Sequence, residues 1–140
     1  TCALPILESE INKYLTELSD GRFQLTFQIQ AADKLAVVIT DNDDEISIGS
    51  LSNGERSRVS ISALLGIRSM MQSLSNTRTN LLILDETLEH IDVGGKDRLV
   101  EILLKEQYLN TFVVSHGFSH PLLQKLVVNK ENHISKLEQQ

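Results

Sequence analysis

Residues 81–86 read Leu-Leu-Ile-Leu-Asp-Glu, four apolar residues that end in two carboxylates. A continuous apolar run bounded by polar segments is the pattern of a parallel strand covered on both faces. Asp85 and Glu86 then fall at its C-terminal edge, the edge at which open α/β sheets bind ligands. An Asp there can hold magnesium through water. A neighbouring Glu can orient or deprotonate an attacking water. The bland reading of the same pair is a cap on the next turn.

Upstream stands Leu51-Ser52-Asn53-Gly54-Glu55. Ser52 precedes a helix whose first amides are unpaired, and those amides with the helix dipole favour an anion. Gly54 lets backbone approach closely. Ser52 and Glu55 also have the spacing of a capping box, which needs no ligand. Gly49 and Gly54 imitate the two glycines of a phosphate-binding loop. They are followed by Glu55 and Arg56 where that loop requires Lys and Ser/Thr, so a carboxylate would face the phosphate. No Gly-x-x-x-x-Gly-Lys-Ser/Thr run occurs in the 140 residues. Downstream, Val113-Val114-Ser115-His116 ends a second apolar run in a histidine that can donate to a phosphoryl oxygen, or make an ordinary structural contact. His116 and His120 have metal-ligand spacing only if helical, which Gly117 and Pro121 oppose, and no third ligand is evident.

The length fits one domain, and no apolar run approaches the ~20 residues of a membrane span. Cys2 is the sole cysteine, which excludes an intrachain disulfide and a thiolate metal cluster. The absence of a signal peptide makes a cytoplasmic setting the expectation. A net charge of −6 argues against a nucleic-acid surface spread over the whole fold. The local pairs Arg56/Arg58 and Lys96/Arg98 read as solvated faces or salt bridges.

Leu4, Leu7, Ile11, Tyr14 and Leu18 follow a 3-4-3-4 spacing, with Pro5 suited to a first helical turn and Asp20-Gly21 as the stop. This is either an amphipathic helix packed on its own domain or the root of a coiled coil. Phe23 to Ile29 and Leu35 to Ile39 alternate as strands. Asp41 to Asp44 reads as a turn, and Ile46 and Ile48 begin a third strand. The acidic turn lacks the glycine and distal glutamate of a calcium loop. A helix is predicted from about Glu55 to Leu74 and a polar loop over 75–80. A second helix, Lys96 to Glu106, is entered through Gly94-Gly95. Phe112 to Val114 forms a buried strand. Ser119 and Pro121 can begin a short helix. Leu126 to Val128 and Ile134 to Leu137 flank Lys130-Glu131-Asn132 as a terminal hairpin. The fold class is α/β, a parallel sheet with flanking helices plus a small antiparallel hairpin.

The order Leu-Ser-x-Gly-Glu, long helix, apolar-Asp-Glu, Ser-His resembles the C-terminal lobe of an ABC-type (P-loop NTPase) head. It is most similar to the SMC/SbcC branch, the coiled-coil ATPases of DNA repair and recombination. There a long coiled coil separates the Walker A half from the C-terminal half, and Tyr14-Leu15, Leu18 and Gly21-Arg22 look like its re-entry into the head. The resemblance implies a coiled-coil root over 1–20 and a C-terminal lobe over 21–140, with the Walker A lobe elsewhere. It makes Leu51, Ser52, Asn53, Gly54 and Glu55 the signature motif, set against the γ-phosphate of ATP on the opposite head. Asp85 becomes the Walker B magnesium residue, Glu86 the catalytic base, Asp92 the D-loop residue and His116 the switch histidine. Asn53 stands where the family usually has Gly, a change that Asn's tolerance of left-handed angles can absorb. Thr87 stands where many relatives have Pro.

The cofactors implied are ATP and Mg2+. The partners implied are the N-terminal Walker A lobe of the same protein, a second ATPase head in a homodimer, an SbcD-type nuclease subunit and DNA, with no membrane. The expected work is ATP-driven dimerisation and hydrolysis coupled to DNA end processing, and none by the isolated segment. Its economy also suits the large subunit of a bacteriophage recombination endonuclease, which would act in host cytoplasm. Alternatives are a chromosome-organising SMC or RecF/RecN-like head and a non-catalytic dimerisation module. A transporter subunit would carry Walker A in the same polypeptide and more often Gln at position 55.

Overall fold

The computed structural model describes residues 3–31, 34–75 and 78–140. Cys2 and part of the polar loop expected over 75–80 lie outside them. Helix α1 spans Ala3–Leu18, with Pro5 in its first turn and Ile11, Tyr14, Leu15 and Leu18 buried. It stops where Asp20 and Gly21 turn left-handed, at φ 56° and 75°, a conformation that glycine adopts without the Cβ penalty. The seam residues Ile11, Tyr14 and Leu18 pack on the chain's own domain, Leu4 and Leu7 stay partly exposed, and Leu15, off the seam, is fully buried beside them.

Strands β1 (Phe23–Gln30), β2 (Lys34–Asp41) and β3 (Asp44–Ile46) form an antiparallel sheet. Asn42 and Asp43, both left-handed, make the two-residue turn between β2 and β3, as such hairpins prefer. The third strand is shorter than expected. Ile48 falls instead in a single 3-10 turn, Ile48–Ser50, because the Ser47 side chain accepts from the Gly49 amide and caps it. Phe23, Leu25 and Ile39 of this sheet close one core with Ile11, Leu15 and Leu51.

Helix α2 (Asn53–Leu74) crosses α1 at Gly66. A Cβ on Gly66 would lie 2.7 Å from the Ile11 amide nitrogen and 2.7 Å from its side chain. Strand β4 (Leu81–Asp85), helix α3 (Val93–Lys105) and strand β5 (Asn110–Val114) make a parallel pair with a crossover helix, registered Leu81↔Asn110 through Asp85↔Val114. Gly94 and Gly95 lie inside the first turn of α3 rather than ahead of it, since Asp92 already caps the helix. The second core joins Tyr14 and Leu18 of α1, Ile61 and Leu65 of α2, Leu82 and Leu84 of β4, and Leu99, Ile102 and Leu103 of α3.

Two further expectations are corrected. The parallel strands are covered on one face only. Leu82 and Leu84 are buried, whereas Leu81, Ile83, Phe112 and Val114 are about half exposed. An apolar run records that both faces suit a cover, and here helices lie on one side. Residues 119–125 form a turn, closed by Leu123 N donating to the His120 carbonyl, and not a helix. The segment before the next strand is too short to repay a helix nucleus. The terminal hairpin is present as β6 (Leu126–Glu131) and β7 (Ile134–Gln139). Its turn is Asn132-His133, both left-handed, one step later than expected.

The α1–α2 contact yields a stability prediction. Gly66→Ala must push backbone from backbone, and overpacking of this kind costs about 1–3 kcal/mol. Urea unfolding of the variant reads that loss, and an unchanged midpoint would mean the two helices can separate without penalty.

Candidate functional site

The acids arrive where the apolar run sends them. Asp85 is the last residue of β4 and Glu86 the first beyond it. Glu86 takes a left-handed backbone, φ 51°, which is uncommon for a residue with a Cβ. Its amide donates to the Val114 carbonyl at 2.9 Å, so the strand pairing runs one residue past Asp85. The Thr87 hydroxyl donates to the Asp85 carbonyl at 3.1 Å. From the end of β5, His116 places Nε2 3.5 Å from Glu86 Oε1, with both side chains largely in solvent. The Asp85 carboxylate makes no hydrogen bond or ion pair among the described residues.

The second group surrounds the start of α2. Leu51 is buried and anchors the segment. Ser52 is the N-cap: its hydroxyl accepts from Glu55 N at 3.3 Å, and Glu55 Oε2 accepts from Ser52 N at 2.8 Å. The capping box is thus complete. The other Glu55 oxygen meets Arg22 at 2.8 Å, and Arg22 also grips Asp41 through two hydrogen bonds of 2.8 and 2.6 Å. Arg22 lies over the Phe23 ring, 4.6 Å from its centroid. The Ser52 amide holds the Glu55 carboxyl below its ordinary range, burial opposes, and the Ser52 hydroxyl and Arg22 reinforce the effect.

Gly54 is needed for a contact within the chain. A Cβ there would sit 2.5 Å from the His90 carbonyl oxygen, so the close approach expected toward a ligand is made first to the loop after β4. Asn53 is the first residue of α2 and is not left-handed, so its tolerance of that region is not called on. Asp92 caps α3 by accepting from Gly95 N at 2.7 Å and pairs with Arg58. The Gly95 amide, ahead of Arg58, lowers the Asp92 carboxyl, with burial opposing.

Arg22, Ser52, Asn53, Gly54, Glu55, Arg58, His90 and Asp92 line one open groove of about 470 Å³. Asp85, Glu86 and His116 do not line it. Eight of the nine residues singled out in the sequence therefore fall into two groups, and the ninth, Leu51, belongs to the core with Ile11 and Phe23. Arg58 behaves as the salt-bridge reading of its pair expects, as does Arg98, which meets Asp20 at 2.5 Å. Arg22 in the groove, His90 and Glu89 carried no signal of their own, since their partners are distant in sequence. Among the described residues no group of three or more His, Cys, Asp or Glu could hold a metal ion, and neither the acidic turn nor His116 with His120 forms one.

No model of a protein family matches the chain. It is 41% identical over 129 residues, 92% of its length, to a probable exonuclease subunit 2 of Escherichia phage T5. It is 29% identical over 120 residues, 84% of its length, to exonuclease subunit 2 of Escherichia phage RB69. The chain spans about a fifth of each of these relatives, 21% and 20%. A DNA double-strand break repair Rad50 ATPase of Saccharolobus solfataricus is 39% identical over 82 residues, 57% of this chain and 9% of its own length. Among solved structures, one from work on ATP-driven dimerization and DNA-stimulated activation of SMC ATPases superposes with a TM-score of 0.77. It covers 98% of this chain and 84% of that one at 12% identity, a likeness of fold.

The Glu55 cap makes a pH prediction. Its folded pKa lies below the unfolded value, so the ionised form contributes stability above about pH 4.5, which is lost as pH falls through the folded pKa. Glu55→Gln keeps a capping partner and removes the titration. Its stability should fall less steeply between about pH 5 and pH 3 than that of the parent. Coincident slopes in acid unfolding would show that the cap is not proton-linked.

Proposed function

Because this chain is a C-terminal ATPase head segment of the SMC/SbcC type, we propose that it supplies one half of two composite ATP sites in a closing pair of heads. Residues 1–20 are the root of a coiled coil and 21–140 the C-terminal lobe. The N-terminal Walker A lobe of the same protein binds the nucleotide beside Asp85 and Glu86. A second head presents its Leu51–Glu55 segment to that nucleotide. Closure and hydrolysis move the coiled-coil roots and so drive DNA end processing by an SbcD-type nuclease partner.

The observation that carries this reading is the convergence at one sheet edge. Asp85 and Glu86 leave β4 while His116 leaves the neighbouring parallel strand, 3.5 Å from Glu86. Glu86 accepts the proton of the attacking water, and His116 donates to a phosphoryl oxygen. Such electrostatic positioning is most of what phosphoryl transfer asks of a protein. Asp85 fits Mg2+, being an exposed oxygen donor free of other partners among the described residues. Magnesium keeps most of its ligands as water and phosphate oxygens, so one carboxylate suffices. The ion, when bound, neutralises phosphate charge.

The separate placement of the Ser52 groove also supports a site completed in trans. Arg22 and Arg58 there are already paired with carboxylates. An anion in the groove would rely on the Ser52 hydroxyl and the first amides of α2, which favours nucleotide already held by another head over free phosphate. The half-exposed Leu81, Ile83, Phe112 and Val114 give the Walker A lobe an apolar seat.

Two variants of a complete head test the reading. Glu86→Gln should bind ATP and hold the dimer closed while turnover disappears from a phosphate-release assay. Persistent hydrolysis removes Glu86 as the base. Ser52→Arg should leave ATP binding intact and prevent ATP-driven dimerisation in sedimentation, whereas normal dimerisation takes Ser52 out of the site.

A further inference from the structure

We propose that Glu89 is a positioning residue: its carboxylate holds the backbone of His116 and thereby fixes the histidine against Glu86. The proposal rests on the hydrolytic roles given above to Glu86 and His116.

Those two residues lie on different strand ends, and their side chains are 66% and 84% exposed. Packing therefore does not hold them together. Hydrogen bonds between the loops do. The Glu86 amide donates to Val114 O at 2.9 Å, which sets the base relative to β5. Within the first loop the Glu89 amide donates to Glu86 O at 3.1 Å, closing a turn that returns Glu89 toward the sheet edge. Glu89 Oε1 then accepts from the His116 amide at 2.9 Å. These three bonds form a closed figure through Glu86, Glu89 and His116. Only the last uses a side chain, so it is the one that amino-acid identity controls. The His116 amide is also the leading cause that lowers the Glu89 carboxyl, with burial opposing. An ionised acceptor makes a shorter and stronger bond than a neutral one. Without it, the Ser115-His116-Gly117 segment has a left-handed glycine at φ 81° and little packing to keep the ring at its place.

The test uses the complete head, with ATP turnover measured over substrate concentration. Glu89 is exposed, so Glu89→Leu leaves the core untouched. It should lower kcat roughly 10- to 100-fold, the scale of a small misplacement of catalytic groups, with KM for ATP and the melting midpoint little changed. Glu89→Gln, whose side-chain oxygen still accepts from an amide, should recover most of the loss. In a His116→Ala background Glu89→Leu should add nothing, because residues acting through one another are not additive. Equal losses from Leu and Gln, an undiminished kcat, or a full loss persisting without His116 would each overturn the positioning role. Glu86→Gln is the reference. If it still turns over ATP, the hydrolytic reading itself fails. If it is dead while Glu89→Leu is fully active, the failure belongs to Glu89 alone.

Discussion

A largely buried ion pair ties together the elements that carry both groups of site residues. Arg68 of α2 is 7% exposed. It donates Nη1 to Glu106 at 2.5 Å and Nε to the Thr79 carbonyl just ahead of β4 at 3.1 Å. Tyr14 of α1 donates to the other Glu106 oxygen at 2.7 Å. Burial, then Glu106, pushes the Tyr14 phenol well above its ordinary range, so it stays a donor. The Arg68–Glu106 pair thus fixes α1, α2, the end of α3 and the approach to the strand that delivers Asp85 and Glu86. Removing one member of such a pair costs about 3–5 kcal/mol, while apolar replacement of both is often neutral. The contribution of the pair is therefore better understood as a fixed angle among helices than as net stability. Lys105–Glu17 at 2.7 Å adds a second, solvated tie between α1 and α3.

The consequence is that α3 spans two environments. At its C-terminal end it is bound to α1 through Glu106 and Lys105. At its N-terminal end Asp92 caps it and pairs with Arg58 of α2. The carbonyl of His90, two residues earlier, lies against Gly54. The segment from Asp85 to Asp92 therefore touches the sheet edge shared with His116 at one end and the Ser52 groove at the other. On the proposed reading, the two half-sites of one head are joined by eight residues of backbone rather than by a diffuse path through the core.

Much of this was legible in the sequence because it rests on local rules. The alternating strands, the Asp20-Gly21 stop, the Ser52–Glu55 box and the delivery of two acids to a strand end all follow from spacing. The misses share a cause. Gly54 reads as a ligand contact because its real neighbour, His90, lies across the fold. Gly66 gives no hint that it faces Ile11. Arg22 and Arg58 gain meaning only from acceptors far along the chain, and Glu89 from a donor, the His116 amide. Leu81 to Leu84 correctly reports a strand apolar on both faces, but a pattern cannot say which face the same segment covers.

That last point bears on how the head is assembled. Leu81, Ile83, Phe112 and Val114 present one contiguous register of β4 and β5, and Leu126, Val128 and Leu137 share one face of the terminal hairpin, all of them about half exposed or more. A two-stranded hairpin is marginal in water without a surface to pack against. The apolar exposure and the incomplete chemistry lie on the same strands: the face that lacks a cover belongs to the strands whose ends carry Asp85 and His116. If a Walker A lobe supplies that cover, the burial that finishes the sheet also brings the nucleotide to the acids. Folding of the head and formation of its active site are then a single association, driven by the hydrophobic area of β4 and β5.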